Sequence, residues 1–190
     1  MLETTLFDMD FTFETHPSCF SPNGVDRGTL AMLRQVKAVP VGKVLDLGCG
    51  YGVVGIVLAK RMGGSAQIYM CDVQAEALRC AQKNIRHNHV EGIHIIESDG
   101  FTNLNETGFD LILSNPPYHT DFSIAKSFIE KGFNRLRLGG KLMMVTKRKD
   151  WYKNKLTAIF GGVTTFEDDG YYIFTAEKRT YHYSNKKGTN

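Results

Sequence analysis

Two short stretches of the 190-residue sequence carry residue types whose spacing could do chemistry. In the first, the apolar run Leu111-Ile112-Leu113 stops at Ser114-Asn115, and Pro116, Pro117 and Tyr118 follow. Prolines stop strands and Asn forms turns, so punctuation is one reading. The chemical reading is more specific. The Asn115 amide oxygen and the Pro116 carbonyl would be two acceptors on a backbone restricted by proline rings. Two fixed acceptors suit a planar NH2 group, which has two hydrogens to donate. Gripping both draws the nitrogen toward tetrahedral geometry and aims its lone pair at an electrophile. Tyr118 would stack on the ring carrying that amine, a contact of about 1–3 kcal/mol for a base. No strong general base is needed, because in-line positioning supplies much of the barrier reduction.

The second stretch is Asp46-Leu47-Gly48-Cys49-Gly50-Tyr51-Gly52, at the end of an earlier β-rich run. Alternate glycines let the backbone turn tightly and let a ligand approach closely. Strand, glycine turn and helix form the nucleotide-binding corner of a doubly wound sheet. Gly50 to Gly55 also satisfies the dinucleotide pattern G-x-G-x-x-G, with Asp72 placed as a ribose-binding acid, so spacing leaves two nucleotide classes level. Asp46 separates them. A pyrophosphate at this corner would be repelled by the carboxylate. S-adenosylmethionine has no phosphate and brings an ammonium and a sulfonium, for which an acid is favourable. Asp72, with Val73 beside it, would then take the ribose hydroxyls. Asp99, in Ser98-Asp99-Gly100-Phe101, could accept the adenine amine while Phe101 covers the ring. A helix-start or turn role for each acid is the plain structural alternative.

The elements that must position these groups alternate along the chain. Strand-like runs at Val41–Gly48, Ala66–Val73, Gly92–Asp99, Phe109–Asn115 and Lys141–Lys147 are separated by helical patterns at Val53–Met62, Ala75–Asn88 and Ile124–Leu136. Near-continuous apolar strands in such an alternation predict a parallel sheet covered on both faces. Thr164–Lys178 holds two β-rich runs around Asp168-Asp169-Gly170, which predicts an antiparallel hairpin. Upstream lie a strand-like piece at Phe11–Thr15 and a helix from about Arg27 to Lys37. The residues after Tyr183 read as a frayed polar tail.

Composition narrows the class. The length allows one substantial core and not two full-sized domains. No apolar run approaches the roughly 20 residues needed to cross a bilayer. The acidic start, MLETTLFDMDFTFETH, lacks the features of a signal peptide, and a cytoplasmic protein is the natural reading. Cys19, Cys49, Cys71 and Cys80 form no CxxC pair and no zinc spacing, so no metal is expected and the thiols read as reduced. A net charge of +3 permits an anionic partner. Lys147-Arg148-Lys149, followed by Trp151, Tyr152, Lys153 and Lys155, interleaves cations and aromatics as a phosphate-plus-base surface would. Lys60-Arg61 and Arg86-His87 read as ordinary helix exteriors.

The strand-end DLGCGYG, Asp72, the Ser98-Asp99 pair and the NPPYH stretch together resemble the class I S-adenosylmethionine-dependent methyltransferases. More narrowly, the chain is similar to the methyltransferase small-domain family, the catalytic half of bacterial 16S rRNA guanine-N2 methyltransferases. The likeness runs from about Phe11 to Lys178 and includes the block Phe20–Thr29, which in that family lies near the cofactor mouth. The resemblance implies a Rossmann-like, seven-stranded, mostly parallel α/β sheet with helices on both faces and the last strand antiparallel. A single methyltransferase domain over 1–190 is expected, without the additional N-terminal copy of those enzymes. It divides into an extension at 1–40, a cofactor-binding core at 41–178 and a basic tail at 179–190. The expected activity is methylation of an exocyclic amine, guanine N2 of rRNA first. A protein glutamine, adenine N6, or a non-catalytic RNA-binding role are the alternatives. The catalytic residues implied are Asn115, Pro116, Pro117 and Tyr118. Those expected at S-adenosylmethionine are Asp46, Gly48, Cys49, Gly50, Gly52, Asp72, Val73, Asp99, Gly100, Phe101 and Asn115. Tyr118, His119, Lys147 and Arg148 would meet RNA, as rRNA or a ribosomal subunit, with the protein a monomer or a homodimer.

Overall fold

The structure is a computed structural model and describes residues 1–38, 42–117 and 122–184. Tyr118 and His119 therefore lie outside the described residues. A hairpin of β1 (Leu2–Leu6) and β2 (Met9–Phe13) opens the chain, followed by α1 (Arg27–Gln35). The alternating core is β3 (Lys43–Leu47), α2 (Val53–Met62), β4 (Gln67–Asp72), α3 (Ala75–His87), β5 (Ile93–Glu97), β6 (Phe109–Ser114), α4 (Ser123–Arg135) and β7 (Leu136–Thr146). Then come α5 (Lys149–Phe160), β8 (Thr164–Asp168) and β9 (Tyr171–Glu177).

Seven strands form one sheet in the order β5-β4-β3-β6-β7-β9-β8. The first five are mutually parallel, and β9 runs antiparallel to both β7 and β8. The expected α/β sheet with its final strand reversed is thus the one observed. Side chains alternate between its faces, as a period-2 element requires. Val44, Leu111, Leu113, Met143 and Val145 join one apolar cluster with α1, α2 and α3. Leu45, Leu47, Ile112, Leu142 and Met144 join the other with α4 and α5.

Three differences from the sequence reading have local causes. β1 was not expected, because its turn lacks the usual Asn-Gly signal. Phe7 and Asp8 occupy the left-handed region instead, at φ 53° and 60°. β7 begins at Leu136, directly at the end of α4, where the sequence suggested a break at Gly139-Gly140. A register shift between Phe109 and Leu111 absorbs the glycines, and a Cβ on Gly140 would lie 2.6 Å from the Phe109 carbonyl. The basic-aromatic run after Thr146 is the start of α5, and its Tyr152 is a core residue at 1% exposure.

The hairpin is fastened to the core by amide side chains. Asn84 and Asn88, one helical turn apart at the end of α3, are buried at 0% and 3% exposure. Asn84 Oδ1 accepts from the Glu14 N–H (2.6 Å) and its Nδ2 donates to the carbonyls of Glu14 and Tyr51 (2.9 Å each). Asn88 repeats the exchange with Thr12, accepting at 3.0 Å and donating at 2.8 Å. These side chains satisfy backbone groups along and just past β2 that water would otherwise have to serve. Lys60 and Arg61 also differ from plain helix exteriors. Lys60 donates to the Asp10 carbonyl and lies over Phe11, while Arg61 lies over Phe7.

Candidate active site

The parallel strands end along one edge of the sheet, and the order reverses between β3 and β6. Such a switch point leaves a crevice at the carboxyl ends of the strands. Ser114, buried at the end of β6, donates to the Leu47 carbonyl at 2.7 Å and ties the two strand ends together. A cavity of about 440 Å³ opens beside them.

The glycine turn builds its floor. Gly48, Gly50 and Gly52 all have positive φ (75°, 55° and 94°), a conformation that other residues adopt at a cost. The N–H groups of Gly48 and Cys49 both donate to the Cys71 carbonyl, which folds the turn across β4. Gly55 lets α2 descend: a Cβ there would lie 2.3 Å from the Met70 sulfur. That approach places the Gly55 N–H 2.9 Å from Asp46 Oδ2.

Asp46 is 2% exposed. Burial pushes its carboxyl up to about 7; the Gly55 N–H opposes this, and the neighbouring Asp72 charge adds to it. Asp72 at the end of β4 accepts the Gly50 N–H on Oδ2 (2.8 Å) and the Gln74 N–H on Oδ1 (2.9 Å). One lone-pair site remains on each oxygen for a ligand. The thiols of Cys49 and Cys71 are both pushed up by burial, Cys71 to about 12, so they stay neutral beside these acids. All four cysteines are free and buried.

The expected residues Asp46, Gly48, Cys49, Gly50, Asp72, Val73, Asp99, Gly100, Asn115, Pro116 and Pro117 all line this one cavity. Four others do not. Phe101 is corrected: it is 4% exposed, lies in the core beneath α4, and packs edge-to-face on Phe128. Phe128 lines the cavity in its place, and Gly100 is small enough for it, since a Cβ would lie 3.1 Å from the Phe128 ring. Gly52 is a packing glycine whose Cβ would meet Ile56 and Met70 at 3.1 Å. Lys147 and Arg148 stand just past the end of β7, on the same sheet edge but outside the lining, with their charges 4.9 Å from the ring centres of Tyr171 and Phe122. Phe122 in turn stacks on Trp151 at 4.2 Å.

Sequence reasoning missed the roles of Asp26 and Thr29. Both line the cavity, and Asp26 caps α1 by accepting the Thr29 N–H at 2.8 Å. Asn115 Nδ2 donates to Asp26 Oδ2 (2.8 Å) and to Thr29 Oγ1 (3.0 Å). An Asp just before a helical run signals a cap, but nothing local signals a second partner 89 residues away. The Tyr51 hydroxyl also donates to the carbonyls of Gly24 (3.2 Å) and Ser21 (3.4 Å), latching the segment before α1 to the glycine turn.

The lining contains four carboxylates, Asp26, Asp46, Asp72 and Asp99, and no lysine, arginine or histidine among the described residues. A phosphate would find no counter-charge here, whereas a ligand with cationic groups would. Exposed Phe20 (52%) and Val73 (61%) leave an apolar rim suited to a ring. Among the described residues no cluster of His, Cys, Asp and Glu has the form of a metal site, and no helix is long and apolar enough to cross a membrane.

The fold and the anionic crevice define the class: a doubly wound domain that suits a phosphate-free nucleoside ligand beside an Asn-Pro-Pro strand end. The chain belongs to the methyltransferase small domain family, whose model matches residues 10–175. It is 35% identical over 156 residues to ribosomal RNA small subunit methyltransferase C of Cronobacter sakazakii, covering 80% of this chain and 45% of that protein. The chain spans about half the length of the curated methyltransferase C relatives it matches. It is 32% identical over 179 residues to the uncharacterised protein YbxB of Bacillus subtilis, covering 91% of this chain and 89% of that one. A solved structure of the T. thermophilus 16S rRNA N2 methyltransferase RsmC, in complex with AdoMet and guanosine, superposes with a TM-score of 0.86. It is 28% identical, over 94% of this chain and 50% of that one. A methyltransferase from Pyrococcus furiosus, 18% identical, shares the fold over 90% of each chain with a TM-score of 0.69.

Proposed function

We propose that this protein is an S-adenosylmethionine-dependent methyltransferase that modifies an exocyclic amine of a base in ribosomal RNA, guanine N2 in particular. The carrying observation is that the carboxylate-lined cavity and the Asn115-Pro116-Pro117 strand end share one crevice. The donor set fits the cofactor: anionic groups for its cationic end, lone pairs on Asp72 for hydroxyls, and Val73 and Phe128 for a ring. When bound, S-adenosylmethionine supplies an electrophilic methyl group on a sulfonium.

The chain's own residues do the rest. Asp46 holds a buried negative charge that a cation stabilises. Asp72 orients a ribose, and Asp99, exposed at the rim, can accept from an amine. Asn115 Oδ1 and the Pro116 carbonyl accept the two N–H groups of the target amine and turn its lone pair out of the base plane. The amine nitrogen bonds to the methyl as the sulfur–methyl bond breaks, the electron pair of that bond staying on sulfur, and the nitrogen releases one proton to water. Tyr118 and His119 are assigned to the target base by their position in the sequence, and Lys147 and Arg148 to its flanking phosphates. The RNA assignment is supported by the relatives named above and by these cations at the site's edge.

Tritium-methyl transfer onto total RNA lacking its natural marks, with nucleoside mass spectrometry of the product, tests the reading. N2-methylguanosine is the expected product. Asn115→Ala should lower transfer at least about 100-fold while cofactor affinity by calorimetry stays within a few-fold, and Asp72→Ala should weaken that affinity. Label appearing in protein and not in RNA would reassign the acceptor to a side-chain amide.

A further inference from the structure

A terminal amide is nearly symmetric in shape, so Asn115 could present either its oxygen or its NH2 to the crevice. Its work at an amine requires the oxygen, because an NH2 facing an NH2 sets donor against donor. Turning χ2 by half a circle would reverse the ends at little steric cost. Something must therefore decide the orientation.

The start of α1 supplies that decision. Nδ2 of Asn115 sits 2.8 Å from Asp26 Oδ2 and 3.0 Å from Thr29 Oγ1. A carboxylate only accepts, so a reversed amide would place two lone-pair atoms against each other at that distance. Asp26 Oδ2 is itself held by the Thr29 N–H, and Thr29 is 8% exposed, so water competes poorly there. The helix start cannot drift. Gly28 packs on the Tyr171 ring so closely that a Cβ would lie 2.7 Å away, and Arg27 and Arg34 pair with Asp169 and Asp168 at the β8–β9 turn.

We propose that Asp26, with Thr29, is a positioning residue that locks the NH2 end of Asn115 and so commits its oxygen to the substrate amine. The catalytic consequence rests on the function proposed above, whereas the lock itself does not. Asp26→Ser is the informative variant, because serine still caps a helix but removes the two-bond anionic acceptor.

Two measurements decide it. In side-chain 15N–1H spectra, the Asn115 pair is identified by its loss in Asn115→Ala. Slow solvent exchange of that pair is expected in the wild type, with fast exchange in Asp26→Ser. Single-turnover transfer onto unmethylated rRNA, at saturating RNA and cofactor so that altered binding is not read, should fall about 10–100-fold in Asp26→Ser. Adding Asp26→Ser to Asn115→Ala should cost less than about twofold more. Equal exchange in wild type and Asp26→Ser, or a full second loss in the double variant, overturns the proposal. A wild-type protein that methylates no RNA overturns the proposed function instead, and the exchange measurement still judges the lock.

Discussion

A carboxyl group that burial pushes up to about 7 is half ionised at neutral pH, and Asp46 sits at that balance with its Oδ2 on the Gly55 N–H. A bound cation favours the ionised form, so the group releases a proton on binding. Cofactor affinity should therefore be flat above pH 7 and fall as pH drops below it, at most about tenfold per unit. Calorimetry across pH 5.5 to 8.5 checks this, and Asp46→Asn should flatten the profile and weaken binding. The folding sign is opposite. Because the folded value is raised above the ordinary 3.8, the stability linked to this group is complete at low pH and lost as pH rises through 7. At pH 8 the Asp46→Asn protein should thus melt no lower than the wild type, since its amide oxygen can still take the Gly55 N–H. A fall in Tm would refute the view that Asp46 is kept for binding at a cost in stability.

At the scale of elements, the segment between β2 and α1 and the start of α1 complete the crevice, and the hairpin and α1 both hang on polar contacts across long sequence separations. Asn84→Ala removes three hydrogen bonds at a residue with no exposure and strands the Glu14 N–H and the Glu14 and Tyr51 carbonyls. A loss of about 2–4 kcal/mol is expected from urea unfolding, with weaker cofactor binding because Tyr51 belongs to the glycine turn. Gly28→Ala should cost about 1–3 kcal/mol, since its methyl would overlap the Tyr171 ring. Neither residue stood out in the sequence. An Asn on the polar side of a helix pattern looks solvated until a strand edge is laid on it. The exchange of Phe101 for Phe128 has the same origin. Phe101 lies just past β5 and Phe128 in α4; both join the same apolar cluster, and only their packing shows which one reaches the cavity.

For the molecule as a whole, an anionic crevice stands beside a basic edge, and the proposed function gives each a different partner. The crevice repels phosphate, while Lys147, Arg148 and Lys149 lie past β7 over Tyr171, Phe122 and Tyr172. Replacing Lys147 and Arg148 together by Ala should weaken RNA binding uniformly across sequences. It should also reduce the slope of log affinity against log salt by up to about 2, roughly one for each phosphate no longer neutralised. Transfer to free guanosine should change far less than transfer to rRNA, as filter binding and paired kinetics would report. The stretch from 179 onward reads in the sequence as a tail, yet Tyr183 packs on Phe133 and the Ser184 N–H bonds the Ile159 carbonyl. The Tyr183 hydroxyl also donates to the Glu130 carbonyl and accepts from Asn134, so Tyr183 and Ser184 are held on α4 and α5.

The sequence by itself singled out most of the groups that line the crevice and the strands that carry them. Asp46 before alternate glycines and Asn115 before two prolines are local statements, because φ restrictions and strand endings depend on neighbours along the chain. Alternating apolar runs likewise specified a covered parallel sheet, followed by an antiparallel hairpin at its end. Only the tertiary structure decided how Asn115 is oriented, which phenylalanine lines the cavity and what fastens the hairpin. Each of those depends on pairs such as Asp26 with Asn115 or Asn84 with Glu14, 89 and 70 residues apart. Such pairs form no local pattern; they meet where the packed helices bring them within hydrogen-bond distance.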